Sequence, residues 1–273
     1  EEIASEKVAA DVGPEFNGEV DKQFQKATRD LADHVNGPLK ELDLFPSARS
    51  ITSTNDELRV STRLMASGEL AGSRPNPTVA SKTGLVLQLH ESVFNNALGR
   101  LKLAGKTMTE TELQTEIERT ISTFLGREYH FDPPKPEAET DSGPTTLIFA
   151  EADPVQVRIA DGRVSLIIRA GLKQENGKED IPAQVITIPF TVTIESDRLL
   201  VERGSVRVSA VERSKSRAKQ IIRAGVVRKK VRGALPLRSL DRRFTIKRNG
   251  REPLVLTITR VEALDGWLSL VLE

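Results

Sequence analysis

Residues Leu85–Gly105, LVLQLHESVFNNALGRLKLAG, change period in mid-course, and that change limits what the chain can fold into. Leu85, Leu87 and Leu89 alternate with Val86, Gln88 and His90, the period of a strand with one buried face. The spacing then becomes helical. Val93, Ala97, Leu101 and Ala104 recur every three or four residues, and Phe94 and Leu98 lie beside them on the same face. Ser92 is the expected N-cap and Gly105 the expected left-handed stop, so a helix is predicted over 92–104. A half-buried strand that runs straight into a one-faced helix needs other elements to cover both.

The rest of the chain supplies them. Val20, Phe24, Ala27, Leu31, Val35, Leu39 and Leu42 predict a long amphipathic helix with a kink at Gly37-Pro38, after a frayed segment 1–17. It ends at Leu44-Phe45-Pro46 and leads into strands 48–53 and 58–65 around Asn55-Asp56. Residues 66–84 read as a linker. Thr109 with Glu112 forms a capping box for a helix striped by Leu113, Ile117, Ile121 and Phe124/Leu125. A Pro-rich loop spans 129–145. The period then becomes two: Val155, Val157 and Ile159 meet Val164, Leu166 and Ile168 across an Asp161-Gly162 turn. Ile186, Ile188, Phe190, Val192 and Ile194 form a long strand, with Pro189 predicting a bulge or an edge position. Strands at 199–202 and 205–211 follow, then a helix over 216–235 and strands at 244–247, 254–261 and 267–272. The predicted class is α+β with antiparallel strands dominant. Residues 1–83 are expected to form an N-terminal helix and hairpin, and 84–273 the main unit. Residues 18–66 and 216–273 share one pattern of helix, Leu/Pro turn and strands.

This order resembles one family. Ser92, Val93, Phe94, Asn95 and the closing Ala104-Gly105 are similar to the segment that opens the second barrel of the bactericidal/permeability-increasing and lipid-transfer proteins. The hairpin, the strand into ESDRLLVERGSVRVSAVE, the long helix, Leu235-Pro236 and the last strands follow in the order of that family. The likeness covers about residues 84–273, with 18–66 as the tail of a preceding similar unit. It implies the tubular lipid-binding (TULIP) fold, a long curved antiparallel sheet wrapped around amphipathic helices and an apolar channel. The two-cysteine bridge of the animal proteins is absent, and a complete first barrel is not visible. An extracytoplasmic location, periplasmic or secreted, goes with that resemblance. A chain beginning at Glu1 is expected to be a trimmed product.

Composition bears on function by exclusion. The chain has no cysteine, so disulfides and thiolate metal sites are excluded. No apolar run approaches the roughly 18 residues of a membrane span. His34, His90 and His130 each stand alone, and no nucleophile elbow, phosphate loop or dinucleotide turn occurs. Asp153 and Asp161 sit at strand ends, where turn roles predominate. The expectation is a non-enzyme without cofactor or metal. Aromatics are scarce at 4%, so the linings are aliphatic. Helix residues Val93, Phe94, Ala97, Leu98 and Leu101 and strand residues Ile188, Phe190 and Val192 each share a face. They are the expected lining of a site for a lipid or other amphiphile. Net charge is +1, yet residues 213–251 carry 15 Lys/Arg against the single acid Asp241. Arg228, Lys229, Lys230 and Arg232 are the expected contacts to an anionic membrane surface. The alternative is a binding scaffold whose helix 216–235 grips nucleic acid or a partner protein. Nucleic acid is disfavoured, because that helix has no aromatic residue for stacking.

Overall fold

Alternation at period two is realised as antiparallel pairing at every ladder of the computed structural model. The structure describes residues 37–41, 43–44, 46–66, 68–72, 74–79, 84–125, 128–130, 146–173, 179–212, 216–234, 238–246 and 252–273. Two units divide the chain, residues 1–66 with 121–129, and residues 67–120 with 130–273.

In the first unit, helix α1 (Gly37–Glu41) begins at the predicted kink. The remainder of the helix expected from Val20 and the frayed segment 1–17 lie outside the described residues. Leu39 and Leu44 are buried, and Leu44 N–H donates to Leu39 O at 2.7 Å. The predicted hairpin is present as β1 (Pro46–Ser53) and β2 (Leu58–Leu64). Thr54 Oγ1 closes its turn by accepting from Asp56 N–H and Glu57 N–H at 3.3 and 3.1 Å.

The second unit holds two sheets. Strand β3 (Leu85–His90) leads into helix α2 (Glu91–Gly99), and β4 (Thr107–Thr109) into helix α3 (Glu110–Leu125), of which residues 110–120 belong to this unit. The large sheet runs in the order β11 (Arg238–Asp241), β9 (Arg198–Arg203), β8 (Ile181–Glu195), β7 (Arg163–Lys173), β5 (Thr146–Phe149), β4. Strand β10 (Arg207–Ala210) also pairs with β8, and β6 (Val155–Ala160) with β7. The second sheet is β12 (Arg243–Ile246), β13 (Leu254–Leu264), β14 (Trp267–Leu272), β3. Helix α4 (Arg217–Ala234) connects β10 to β11.

One face of the large sheet is apolar by register. Ile186 stands opposite Ile168 and Val208, Ile188 opposite Leu166, and Phe190 opposite Val164. The cover changes along this face. Leu147, Phe149 and Ala170 pack with Leu98, Leu101, Leu103, Leu113 and Ile117. Ile186, Ile188 and Phe190 pack with Val226, Val227 and Val231 of α4. Val192, Ile194 and Leu199 pack with Leu256, Ile258, Val261, Leu270 and Leu272 of the second sheet.

Several local expectations hold. Asp161 (φ 53°) and Gly162 (φ 72°) both take the left-handed conformation that a two-residue hairpin needs. The capping box closes: Thr109 N–H donates to Glu112 Oε2 at 2.7 Å, and Glu112 N–H to Thr109 Oγ1 at 3.3 Å. The bonds that the Thr109 N–H and hydroxyl donate to the Glu112 carboxylate lower its pKa.

Others change. The helix after β3 ends at Gly99, not at 104, and His90 caps it instead of Ser92. Leu101 and Leu103 are both buried at 3%, and residues two apart cannot share one helical face. The chain therefore leaves the helix through turns in which Leu101 N–H donates to Leu98 O and Lys102 N–H to Gly99 O, each at 3.1 Å. Lys102 takes the left-handed φ of 48°. Gly105 belongs to a later turn against Glu151. Pro189 marks neither a bulge nor a sheet edge. β10 pairs with β8 as far as Thr187 and β9 begins at Phe190, so Pro189 sits where the partner changes and its missing N–H breaks no ladder.

Candidate apolar binding face

The second sheet sorts its residues by face. Leu85 stands opposite Leu272, and Leu272 opposite Ile258. Leu87, Leu270 and Val261 form the next row, and Leu89, Leu268 and Ala263 the third. Across the sheet, Phe244 pairs with Leu256. Directly opposed residues of an antiparallel pair point the same way, so one whole face is aliphatic apart from that phenylalanine. Its centre is closed, with Ile258 at 2% and Leu272 at 8% exposure against Leu199, Val192 and Ile194. Its margins are open: Leu85 is 51% exposed, Leu87 43%, Phe244 47% and Leu254 39%. The opposite face is mixed, with Val86, Val271 and Trp267 among Gln88, Ser269, Arg260 and Glu262, and Val271 is buried. Gln88 is held there by Asn76 Nδ2 at 2.7 Å, by Pro77 O at 2.8 Å and by Ser269 Oγ at 3.1 Å. The sheet is therefore covered at its centre on both faces, and the leucine face is open at its margins.

The residues expected to line a site fall into three packed groups. Leu98 and Leu101 join the cluster around Leu103 and Phe149. Ile188 and Phe190 join the cluster under α4, and Val192 joins the contact between the sheets. Leu147 and Ile168 touch both of the first two groups. Val93, Phe94 and Ala97 are half-buried on α2. The face of β8 that carries Ile188, Phe190 and Val192 is covered by α4 and the second sheet. Sequence reasoning missed Leu87, Leu270 and Phe244. The alternation of Leu85, Leu87 and Leu89 was the visible signal, although it marked these leucines as core.

Helix α2 does something its apolar stripe did not announce. β6 pairs with β7 on one side only. On the other side Asn95 Nδ2 donates to Val157 O at 3.0 Å while Val157 N–H donates to Asn95 Oδ1 at 2.6 Å. One turn earlier, Glu91 Oε2 accepts from Ile159 N–H at 2.7 Å, and Gly266 N–H donates to Ile159 O at 2.8 Å. Side chains four apart on a helix match backbone groups two apart on a strand, and the edge of β6 is satisfied without another strand. His90 Nδ1 accepts from Ser92 N–H at 3.1 Å, so the neutral ring carries its proton on Nε2. Trp267 lies edge-on to His90, with ring centroids 4.9 Å apart. Burial lowers the His90 pKa, and the neighbouring Glu91 carboxylate opposes that shift.

On the basic helix, Lys229 is exposed and Lys230 half-buried. Arg228 is half-buried and donates Nε–H to Ala224 O of its own helix at 3.1 Å. The Arg232 side chain lies outside the described residues. Among the described residues, no group of three or more His, Asp or Glu is placed to hold a metal ion. No described helix is long and apolar enough to cross a membrane. Neither protein-family models nor curated proteins gave a match to this chain.

Proposed function

We propose that this protein binds a lipid or similar amphiphile without catalysis, with its acyl portion on the leucine face of the second sheet and a basic face toward anionic surfaces. The observation that supports this reading is the open margin of an otherwise aliphatic face, where Leu85, Leu87, Phe244 and Leu254 stay 39–51% exposed. Leu85 and Leu87 adjoin on the β3 edge, and Phe244 and Leu254 on the β12 edge, with the closed centre between them. Exposed apolar side chains are ordinary when single, but adjoining pairs offer an apolar surface. The ordered likeness of residues 84–273 to the lipid-transfer barrels points the same way. On this reading the large sheet curves over α2, α3 and α4 as those barrels do.

The test is titration with a fluorescent fatty acid in solution, without vesicles. Leu87→Asp sets a charge on the exposed margin. It should weaken binding by about tenfold or more, the worth of one desolvated carboxylate against an acyl chain. The thermal midpoint should barely move, because Leu87 is far from fully buried. No saturable binding by the wild type, or equal binding by both proteins, would remove the reading.

A further inference from the structure

Helix α4, RAKQIIRAGVVRKKVRGA, contains no acidic residue, and its two long faces differ in an unexpected way. Ala224, Val227 and Val231 lie on the inner face, with Val227 only 1% exposed. Ala218, Ile221, Ile222, Gly225 and Lys229 follow at spacings of three, four, seven and eleven, which is one continuous stripe. All five are exposed. Ile221 is 60% and Ile222 67% exposed. A Cβ added at Gly225 would meet no atom within 4 Å, so the stripe is open there as well. Ile222 and Ile221 lie five and six residues before Val227, roughly 140° and 120° around the helix from it, so both face outward.

The charge that α4 itself places around this stripe is of one sign only. Arg217 and Lys219 are exposed at its start and Lys229 at its end. Arg223 is drawn to the side by Glu179 at 2.9 Å. An apolar centre of two isoleucines, flanked by cations on a helix without acids, is complementary to the interface of an anionic bilayer. We propose that α4 docks on such a bilayer along this stripe, with Ile221 and Ile222 entering the acyl boundary and Arg217, Lys219 and Lys229 meeting the headgroups. This deepens the basic-face role above and rests on it. Nucleic acid is the weaker occupant, since a phosphate backbone rewards the cations and gives the isoleucines nothing.

The experiment is co-sedimentation of the full chain with vesicles of phosphatidylcholine and phosphatidylglycerol at about 3:1, a surface whose anionic lipid attracts basic segments. Ile221→Ser/Ile222→Ser should weaken partition by roughly tenfold or more, because two isoleucines lose their transfer into lipid. The same variant should keep the wild-type thermal midpoint. Lys219→Glu/Lys229→Glu should abolish binding at low salt. The chain has no cysteine, so Ile222→Cys accepts a single environment-sensitive dye, whose emission should shift to the blue on vesicles. Vesicle binding that resists the serine substitutions but fails with the glutamates would overturn the docking stripe and leave the basic-face reading standing. No wild-type binding to vesicles would overturn both. A large fall in the midpoint of the serine variant, or a change in its oligomeric state, would show that the isoleucines cover a protein surface, and would also overturn the proposal. So would retention on duplex DNA, but not on vesicles, that depends on the same cations.

Discussion

Asn95→Leu and Asn95→Asp test whether a side chain on α2 closes the edge of β6. The asparagine amide donates to Val157 O at 3.0 Å and accepts from Val157 N–H at 2.6 Å, so both groups of one half-buried strand residue depend on it. Leucine has nearly the same volume and satisfies neither. Each buried backbone group left unpaired costs about 1–3 kcal/mol, and Asn95 is only half-buried, so the loss should be about 2–4 kcal/mol. For a unit of this size that lowers the thermal midpoint by roughly 5–12 °C. The aspartate variant separates hydrogen bonding from packing. Its carboxylate can accept from Val157 N–H, but its second oxygen would face Val157 O with no proton between them. The protonated acid restores the amide pattern, donating to one group and accepting from the other. The pKa of the new carboxyl is therefore raised in the folded state above its unfolded value of about 3.9. A raised acid favours folding below the unfolded pKa and loses that advantage as pH rises through the folded pKa. Asn95→Asp should thus be strongly destabilised relative to wild type at neutral pH and much less so near pH 4. The assay is far-ultraviolet circular dichroism melting of all three proteins across that range. An Asn95→Leu protein within about 0.5 kcal/mol of wild type, the usual effect of a surface substitution, would refute the edge-closure argument. So would an Asn95→Asp deficit independent of pH.

Two further outcomes follow from the same region and from the large sheet. Because the His90 pKa is lowered in the folded state, chiefly by burial, folding opposes its protonation. Stability should fall as pH drops from about 6.5, and His90→Asn, which keeps an acceptor at the N-cap, should flatten that dependence in chemical denaturation. At Gly171, an added Cβ would lie 2.6 Å from Ile181 O, a backbone atom that cannot swing away. Gly171→Ala should therefore cost about 1–3 kcal/mol in the same assay, and a neutral result would mean the β7–β8 ladder is looser than its register.

Elements built from neighbours in sequence were legible from the chain alone. Asp161-Gly162 specifies its hairpin because only left-handed residues match the strand twist, and Thr109 with Glu112 caps its helix through bonds that span three residues. Alternation at 155–168 and 186–194 announced antiparallel strands with one apolar face, and the paired ladders are antiparallel. None of that information says which partner covers which face. Helix 91–99 stops early because Leu101 and Leu103 are drawn together toward Phe149, a residue some fifty positions away. His90 replaces Ser92 as the cap at the point where β3 joins β14, its partner from the far end of the chain. Pro189 is harmless because two later strands divide β8 between them. Ile221, Ile222 and Val227 are alike in being β-branched and apolar, yet only Val227 lies on the face that α4 packs against the large sheet. Local hydrogen bonding and turn geometry are written in short windows of sequence. Burial is a competition among distant surfaces for limited contact area, and the tertiary structure alone decides it.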